Sequence, residues 1–279
     1  MNNKSIFFLF FIALFSYNLF SQKNWTPKES MKIKSISQTE ISHDGKYGAY
    51  VVREAIIEEK KSEYLNQIWI TNLVTKENYQ YTYNLKSSMS PKFSPDGKKI
   101  AFLSSRSGKN QVWIMNTHGG EARKLTNEKK AVRSIKWSPD GKKISFLKND
   151  NDTEDEKKSK ENKTDVILVD KNFKYSHIYT YNFDEDSVFQ ITNGDFSVNN
   201  FDYSPDGKKI IFSHQEDTNI NTGFVNTDIS IIESNGKNIK FLIQRPGLDS
   251  NPIFSGDGNK FAFISSGGKQ ESIGLRDVY

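Results

Sequence analysis

The sequence contains no cysteine. That excludes disulfide staples, thiolate metal sites and a cysteine nucleophile, and it leaves no thiol near residue 20 for a lipid anchor. No block of lysine or arginine makes a nucleic-acid surface, although 39 basic against 34 acidic residues give a net charge of +5. No apolar run reaches the roughly 20 residues that cross a bilayer as a helix. The longest, Ile6 to Phe15, holds ten. It follows Lys4 and is broken by Ser16, Tyr17 and Asn18, the pattern of a secretory signal peptide over 1–21, cut near Ser21. The mature chain is therefore expected to be secreted or periplasmic, with no membrane anchor after cleavage.

What is present is a repeat. Ser94-Pro95-Asp96-Gly97-Lys98-Lys99-Ile100 returns as Ser138-Pro139-Asp140-Gly141-Lys142-Lys143-Ile144 and as Ser204-Pro205-Asp206-Gly207-Lys208-Lys209-Ile210. Looser copies begin at Ser42 and Ser255, so the leading serines are 52, 44, 66 and 51 residues apart. Such periods mean a repeat architecture. Proline presets the second turn position, aspartate suits the third, and glycine accepts the left-handed fourth. The motif predicts a type I turn with a bulge joining two strands. After it, Lys99 out, Ile100 in, Ala101 out and Phe102 in predict a half-buried strand. Asp44, Asp96, Asp140, Asp206 and Asp257 are read as turn residues in preference to metal ligands or acids.

Four short strands per repeat follow from the same reading. Thr26-Pro27-Lys28-Glu29 predicts a short capped helix in a lead-in over 22–36. Repeats are then expected at about 37–84, 89–127, 132–193, 196–244 and 250–279. In the second, Gln111 to Asn116 is the third strand and Glu121 to Thr126 the fourth. Glu54 to Lys61 reads as a charged connection. Asp150 to Lys163 reads as a solvated insertion. Its Asp150, Asp152, Glu154, Asp155 and Glu156 lack the glycine and terminal glutamate of a calcium loop. Asp165 to Asp170 reads as an extra strand. The fold class is all-β: a propeller of four-stranded antiparallel blades, about four complete and part of a fifth, not closed. Since the sequence ends within a predicted strand at Arg276 to Tyr279, the expectation is a fragment of a longer protein.

The repeats resemble the propeller units of TolB-type proteins and of the prolyl oligopeptidase class of serine peptidases, which includes the dipeptidyl and acylaminoacyl peptidases. Trp25 to Glu29 followed by Ile41 to Gly45 looks like the start of that class's propeller. Leu168-Val169-Asp170, His177-Ile178-Tyr179 and Gln190 to Phe196 resemble its middle blades, and Asn226 to Ile229 and Arg276 to Tyr279 its third strands. The resemblance implies an α/β-hydrolase domain after the propeller, carrying a G-x-S-x-G nucleophile elbow. The sequence has no such elbow. Ser265-Ser266-Gly267-Gly268-Lys269 reads as a hairpin loop, because Phe263 and Gln270 break a phosphate-loop pattern. His43, His118, His177 and His214 pair with no serine and acid in a triad pattern and are read as surface or structural, at turns or strand ends. Trp69, Trp113 and Trp137 are read as core in preference to sugar platforms.

No catalytic, cofactor-binding or metal-binding residue is assigned, and no cofactor. The leading expectation is the substrate-gating propeller of a secreted serine peptidase, inactive by itself, meeting peptides through a hydrolase domain outside this sequence. The competing expectation is a non-enzymatic periplasmic propeller of the TolB type that binds a protein partner on one face. Nucleic acid is not expected as a partner.

Overall fold

The computed structural model describes residues 25–58, 61–164, 173–219, 222, 225–270 and 274–279. The expected signal peptide with its cut near Ser21, and the strand expected over 165–170, lie outside the described residues.

The chain divides into two units. The smaller comprises residues up to Ser35 together with Glu54–Tyr64. Its helix α1 (Pro27–Met31) starts as expected: Thr26 Oγ1 accepts the Glu29 N–H at 3.2 Å, with Pro27 in the first turn. The larger unit takes in Ile36–Arg53 and Leu65–Tyr279 and carries the repeats.

The first sheet runs β1 (Ser35–Ile41), β2 (Tyr47–Glu58), β3 (Lys61–Asn72), β4 (Asn78–Gln80) in that spatial order. The second has β5 (Ser88–Phe93), β6 (Lys99–Ser104), β7 (Gln111–Asn116) and β8 (Arg123–Lys124). The third has β9 (Val132–Trp137), β10 (Lys143–Asn149), β11 (Ser176–Asn182) and β12 (Ser187–Gln190). The fourth is β13 (Ser197–Tyr203), β14 (Lys209–Gln215), β15 (Asn226–Glu233) and β16 (Lys240–Ile243), and the fifth β17 (Gly247–Phe254), β18 (Phe261–Ser265) and β19 (Asp277–Val278). These are the meandering antiparallel sheets of a β-propeller. Among the described residues no hydrogen-bond ladder joins the first sheet to the last.

The turn motif behaves as its chemistry requires. At 94–99, Gly97 N–H donates to Ser94 O at 2.8 Å, and Ser94 Oγ donates to Asp96 Oδ1 at 2.6 Å. The Lys98 N–H reaches the same carboxylate at 3.1 Å, and the Lys99 N–H reaches Ser94 Oγ at 3.0 Å. Gly97, Gly141 and Gly207 have φ of 68°, 69° and 69°, where an L side chain is strained. The Ser94 hydroxyl, then the Lys98 N–H, holds Asp96 below its ordinary carboxylate range, and Asp206 is held the same way by Ser204 and Lys208. These aspartates are committed to the backbone.

Four expectations need correction. Strands after the turn are not half-buried: Ile100, Ala101, Phe102 and Leu103 are all buried. Ile100 and Phe102 pack with Val51, Ile68 and Ile70, while Ala101 and Leu103 pack with Val132, Ile144 and Phe146. Each second strand is thus shared between two interfaces, one per face, and alternation distributes its residues between neighbouring sheets instead of between core and water. Residues 54–58 and 61 belong to β2 and β3, because Tyr64 and Ile57 supply strand-favouring residues among the charges. The polar insertion after β10 is not a loop throughout. It contains α2 (Glu154–Glu161), with a reciprocal capping box between Thr153 and Glu156, acids in its first turn and lysines in its last. Finally, β15 pairs with β17 in parallel, Asn226 opposite Gly247 and Thr227 opposite Leu248, so the fourth and fifth sheets are one hydrogen-bonded sheet.

Candidate functional site

Three features of the larger unit bear on function: a latch repeated in the third strands, a polar row along the first strands, and a cleft beside the turns.

The latch explains the buried histidines. The Thr126 hydroxyl donates to Gln111 Oε1 at 2.7 Å and accepts the Val112 N–H at 2.9 Å. Thr82 does the same for Gln67 and the Ile68 N–H. In the third sheet His177 takes the place of the glutamine: Thr192 Oγ1 lies 3.3 Å from His177 Nδ1 and accepts the Ile178 N–H at 2.9 Å. His177 is therefore a structural residue, the second of β11 and so near a strand end as expected. His214 is likewise inside β14, with Nε2 2.8 Å from Ser230 Oγ and its ring among Phe196, Phe212 and Phe241. Burial lowers the pKa of both, that of His214 to about 4. His43 and His118 are exposed; His118 stands edge-on to Tyr47. No hydroxyl–imidazole–carboxylate triad forms among the described residues. Asp150 does come within 4.0 Å of His177 Nε2, yet the hydroxyl on the other ring nitrogen is the latch.

The first strands carry a polar row that inspection of single repeats misses. Four residues before four of the five turn serines, Gln38, Ser90, Ser134 and Asn251 have φ of 52°, 54°, 54° and 52°; Asn200, before Ser204, does not share this conformation. Register shifts at 89–92 in β5 and 250–253 in β17 produce this bulge. Two residues before the serine are Glu40, Lys92, Lys136 and Asp202 in the first four repeats and Ile253 in the fifth. Neighbouring sheets join through these positions. Ser90 N–H donates to Gln38 Oε1 at 2.7 Å, and Asn200 Nδ2 to Asn251 Oδ1 at 2.8 Å. Lys92 pairs with Glu40, and Lys136 with Asp202 at 2.7 Å. The second Asp202 oxygen accepts the Phe254 N–H at 3.0 Å. The signal was in the sequence as a fixed offset from the serine, with opposite charges in the first and second repeats and in the third and fourth.

The cleft opens between the turns of the second and third sheets and holds about 340 Å³. Trp137 and Phe183 line it, stacked with ring centroids 5.5 Å apart and 8° between planes. The Trp137 indole N–H donates to Lys92 O at 3.0 Å. Lys99, Lys142, Asp96, Asp140 and Asp184 complete the walls. Trp137 is thus half-buried beside a cleft and not simply core, whereas Trp113 packs into the first interface with the Arg106 guanidinium 4.8 Å from its ring. The Ser265–Lys269 segment is a loop after β18, as expected, with Lys269 N–H on Ser266 O.

Comparison with known proteins agrees with this architecture. The profile of the Tricorn protease N-terminal beta propeller domain matches residues 62–164. The uncharacterized peptidase YuxL of Bacillus subtilis is 32% identical over 83 residues, covering 30% of this chain and 12% of that one. The acylaminoacyl peptidase of Pyrococcus horikoshii superposes with a TM-score of 0.69 at 20% identity, covering 92% of this chain and 39% of that one. The chain has the β-propeller fold, similar to the propellers of that peptidase and of TolB. TolB of Acinetobacter baumannii has a TM-score of 0.58 at 24% identity, over 88% of this chain and 51% of that chain. The chain thus spans between 12% and 51% of the length of these three proteins. No helix among the described residues is long and apolar enough to cross a membrane.

Proposed function

We propose that this propeller is the substrate-gating part of a secreted or periplasmic serine peptidase of the prolyl oligopeptidase class. The observation that carries the reading is the polar row. In this reading the first strands face the central channel of the propeller, and four of the five carry Glu40, Lys92, Lys136 and Asp202 in cross-sheet pairs at one offset, with Ile253 in the fifth. Such a lining is wetted, polar and of both signs, suited to passing an extended peptide, whose backbone needs donors and acceptors, while holding no one sequence. The hydrolysis belongs to a domain bearing the nucleophile, base and oxyanion donors. Antibodies against this propeller would be used to isolate every species containing it from the source cells, followed by a fluorophosphonate probe for activated serines. A labelled species larger than the present chain is expected. If no species containing the propeller takes the probe, the peptidase reading is wrong.

The similarity to TolB favours a second reading, a periplasmic interaction scaffold. It predicts an unlabelled species that co-purifies with a protein partner. Both readings place the protein outside the cytoplasm, consistent with the apolar run at 6–15; recovery of the mature protein only from the cytoplasmic fraction would exclude that placement.

A further inference from the structure

The repeat itself shows that the fold does not require the cleft beside Trp137. In the position of Trp137, directly before the turn serine, the second and fourth sheets place Phe93 and Tyr203, both buried, and the Tyr203 hydroxyl is tied to Ser145 Oγ at 2.6 Å. In the position of Phe183 they place Thr117 and Ser234. The equivalence is exact in hydrogen bonding: the Thr117, Phe183 and Ser234 N–H groups donate to Lys98 O, Lys142 O and Lys208 O at 2.9, 3.1 and 2.8 Å. Among the described residues of the first four sheets, the third alone combines aromatic rings at both positions, and there the cleft opens.

Its volume of about 340 Å³ falls within the size of small-ligand sites, roughly 300–1,000 Å³. Its chemistry selects among ligands. Stacked aromatic surface forms one wall. Around it stand two ammonium groups, from Lys99 and Lys142, and three carboxylates, from Asp96, Asp140 and Asp184. Lys99 Nζ lies 5.8 Å from the Phe183 ring centroid, and Lys142 Nζ 3.7 Å from Asp184. A strongly charged ligand of either sign meets like charge here. A wholly apolar one would strip water from the rim without replacing its hydrogen bonds. A ring of hydroxyls does neither. Each hydroxyl both donates and accepts, so it serves ammonium and carboxylate alike, and the C–H face of the ring covers aromatic carbon.

We propose that this cleft binds an uncharged sugar ring against Trp137 and Phe183, with its hydroxyls held by Asp184 and Lys99.

The test uses the full chain and four neutral probes: cellotetraose, maltotetraose, xylotetraose and N-acetylchitotetraose. Saturation-transfer NMR reports contact, and titration gives the affinity. Trp137→Phe and Phe183→Thr introduce residues that the second sheet already carries at these positions, so retention of the fold is expected and is checked by thermal unfolding. At least one probe should bind saturably, and each of these variants should weaken it roughly tenfold, the loss of one aromatic contact of about 1.4 kcal/mol. Asp184→Asn, at an exposed position, should weaken it about threefold without touching the core. Trp69→Phe should change nothing. The proposal is overturned if none of the four sugars binds saturably, or if binding survives Phe183→Thr unchanged. It is also overturned if a proline-rich peptide occupies the cleft, seen as loss of its binding in Trp137→Phe, while the sugars do not.

Discussion

Pro95 lies against Gly141, the glycine of the next sheet's turn: a β-carbon on Gly141 would stand 3.6 Å from the proline Cδ. The contact recurs from Pro139 to Gly207 at 3.5 Å and from Pro205 to Gly258 at 3.2 Å. The first turn has His43 instead of proline, and a β-carbon on Gly97 would meet nothing within 4 Å. Successive turns therefore touch proline to glycine around the propeller.

Alanine scanning of the turn glycines separates backbone strain from this contact. Gly97→Ala and Gly141→Ala should each cost about 1–2 kcal/mol, since both need a left-handed alanine and 3.6 Å is ordinary contact. Gly258→Ala has the same strain and a tighter neighbour, so it should cost more than either. Urea unfolding of the three variants gives the order; equal losses would mean that Pro205 yields freely.

The latch makes a sharper prediction. Thr126→Val keeps the shape but leaves the Val112 N–H and the Gln111 amide oxygen short of a partner in the interior. Each buried group left unsatisfied costs about 1–3 kcal/mol, although Gln111 Oε1 retains the Glu128 N–H at 2.9 Å. A loss near 2–3 kcal/mol is expected, with faster hydrogen exchange at Val112. Thr126→Ser, which restores the hydroxyl, should recover most of it.

His214 ties stability to pH. Its folded pKa of about 4 lies below the unfolded value of 6.5, because burial disfavours the imidazolium. Between those values the unfolded chain binds a proton that the folded chain refuses. Stability from this group is therefore complete above pH 6.5 and declines as pH falls toward 4, by about 3 kcal/mol in all. His177 acts with the same sign, since burial lowers it too, partly opposed by Asp150. Urea midpoints at pH 7 and pH 5 should differ by more in the parent than in His214→Phe. An equal difference in both would remove His214 from the account.

Helix α2 is held by charge. Lys130 reaches Asp152 at 2.7 Å, Lys160 reaches it at 3.1 Å, and Lys174 reaches Glu156 at 2.6 Å. The two ammonium groups pull the Asp152 carboxyl down to about 2. No side chain of α2 is buried, so little else secures it. Tryptic cleavage within 150–164 should accelerate when salt rises from about 0.05 to about 1 M, which shortens the Debye length several-fold. Asp152→Asn should produce the same acceleration at low salt, while cleavage elsewhere keeps its rate.

The parts that were legible in the sequence are those in which neighbours along the chain do the work. Ser-Pro-Asp-Gly closes its own turn, so three copies and the two looser ones at Ser42 and Ser255 mark all five repeats. The Thr153–Glu156 capping box was equally local but was hidden by the charge of its surroundings, and the segment reads as a loop. What alternation could not reveal is which side of Ile100 and Ala101 counts as interior, since that depends on both flanking sheets. Gln111 with Thr126, and His177 with Thr192, share one spacing, so aligning the repeats would have exposed the latch and the role of His177. The cleft depends on Trp137 and Phe183 meeting from different strands, and no local rule brings them together.

The parallel pairing of Asn226–Thr227 with Gly247–Leu248 leaves the interfaces mechanically unequal. Thr227 reinforces that seam, donating to Asp249 O at 2.9 Å and accepting its N–H at 3.0 Å. The second and third sheets are joined to their neighbours by side-chain contacts, without a strand-to-strand ladder among the described residues. Such contacts can slide and reform, whereas a ladder has to break. The fourth and fifth sheets should therefore swing as one stiff plate. Relative movement is left to the earlier seams, including the one where Trp137 and Phe183 line the cleft.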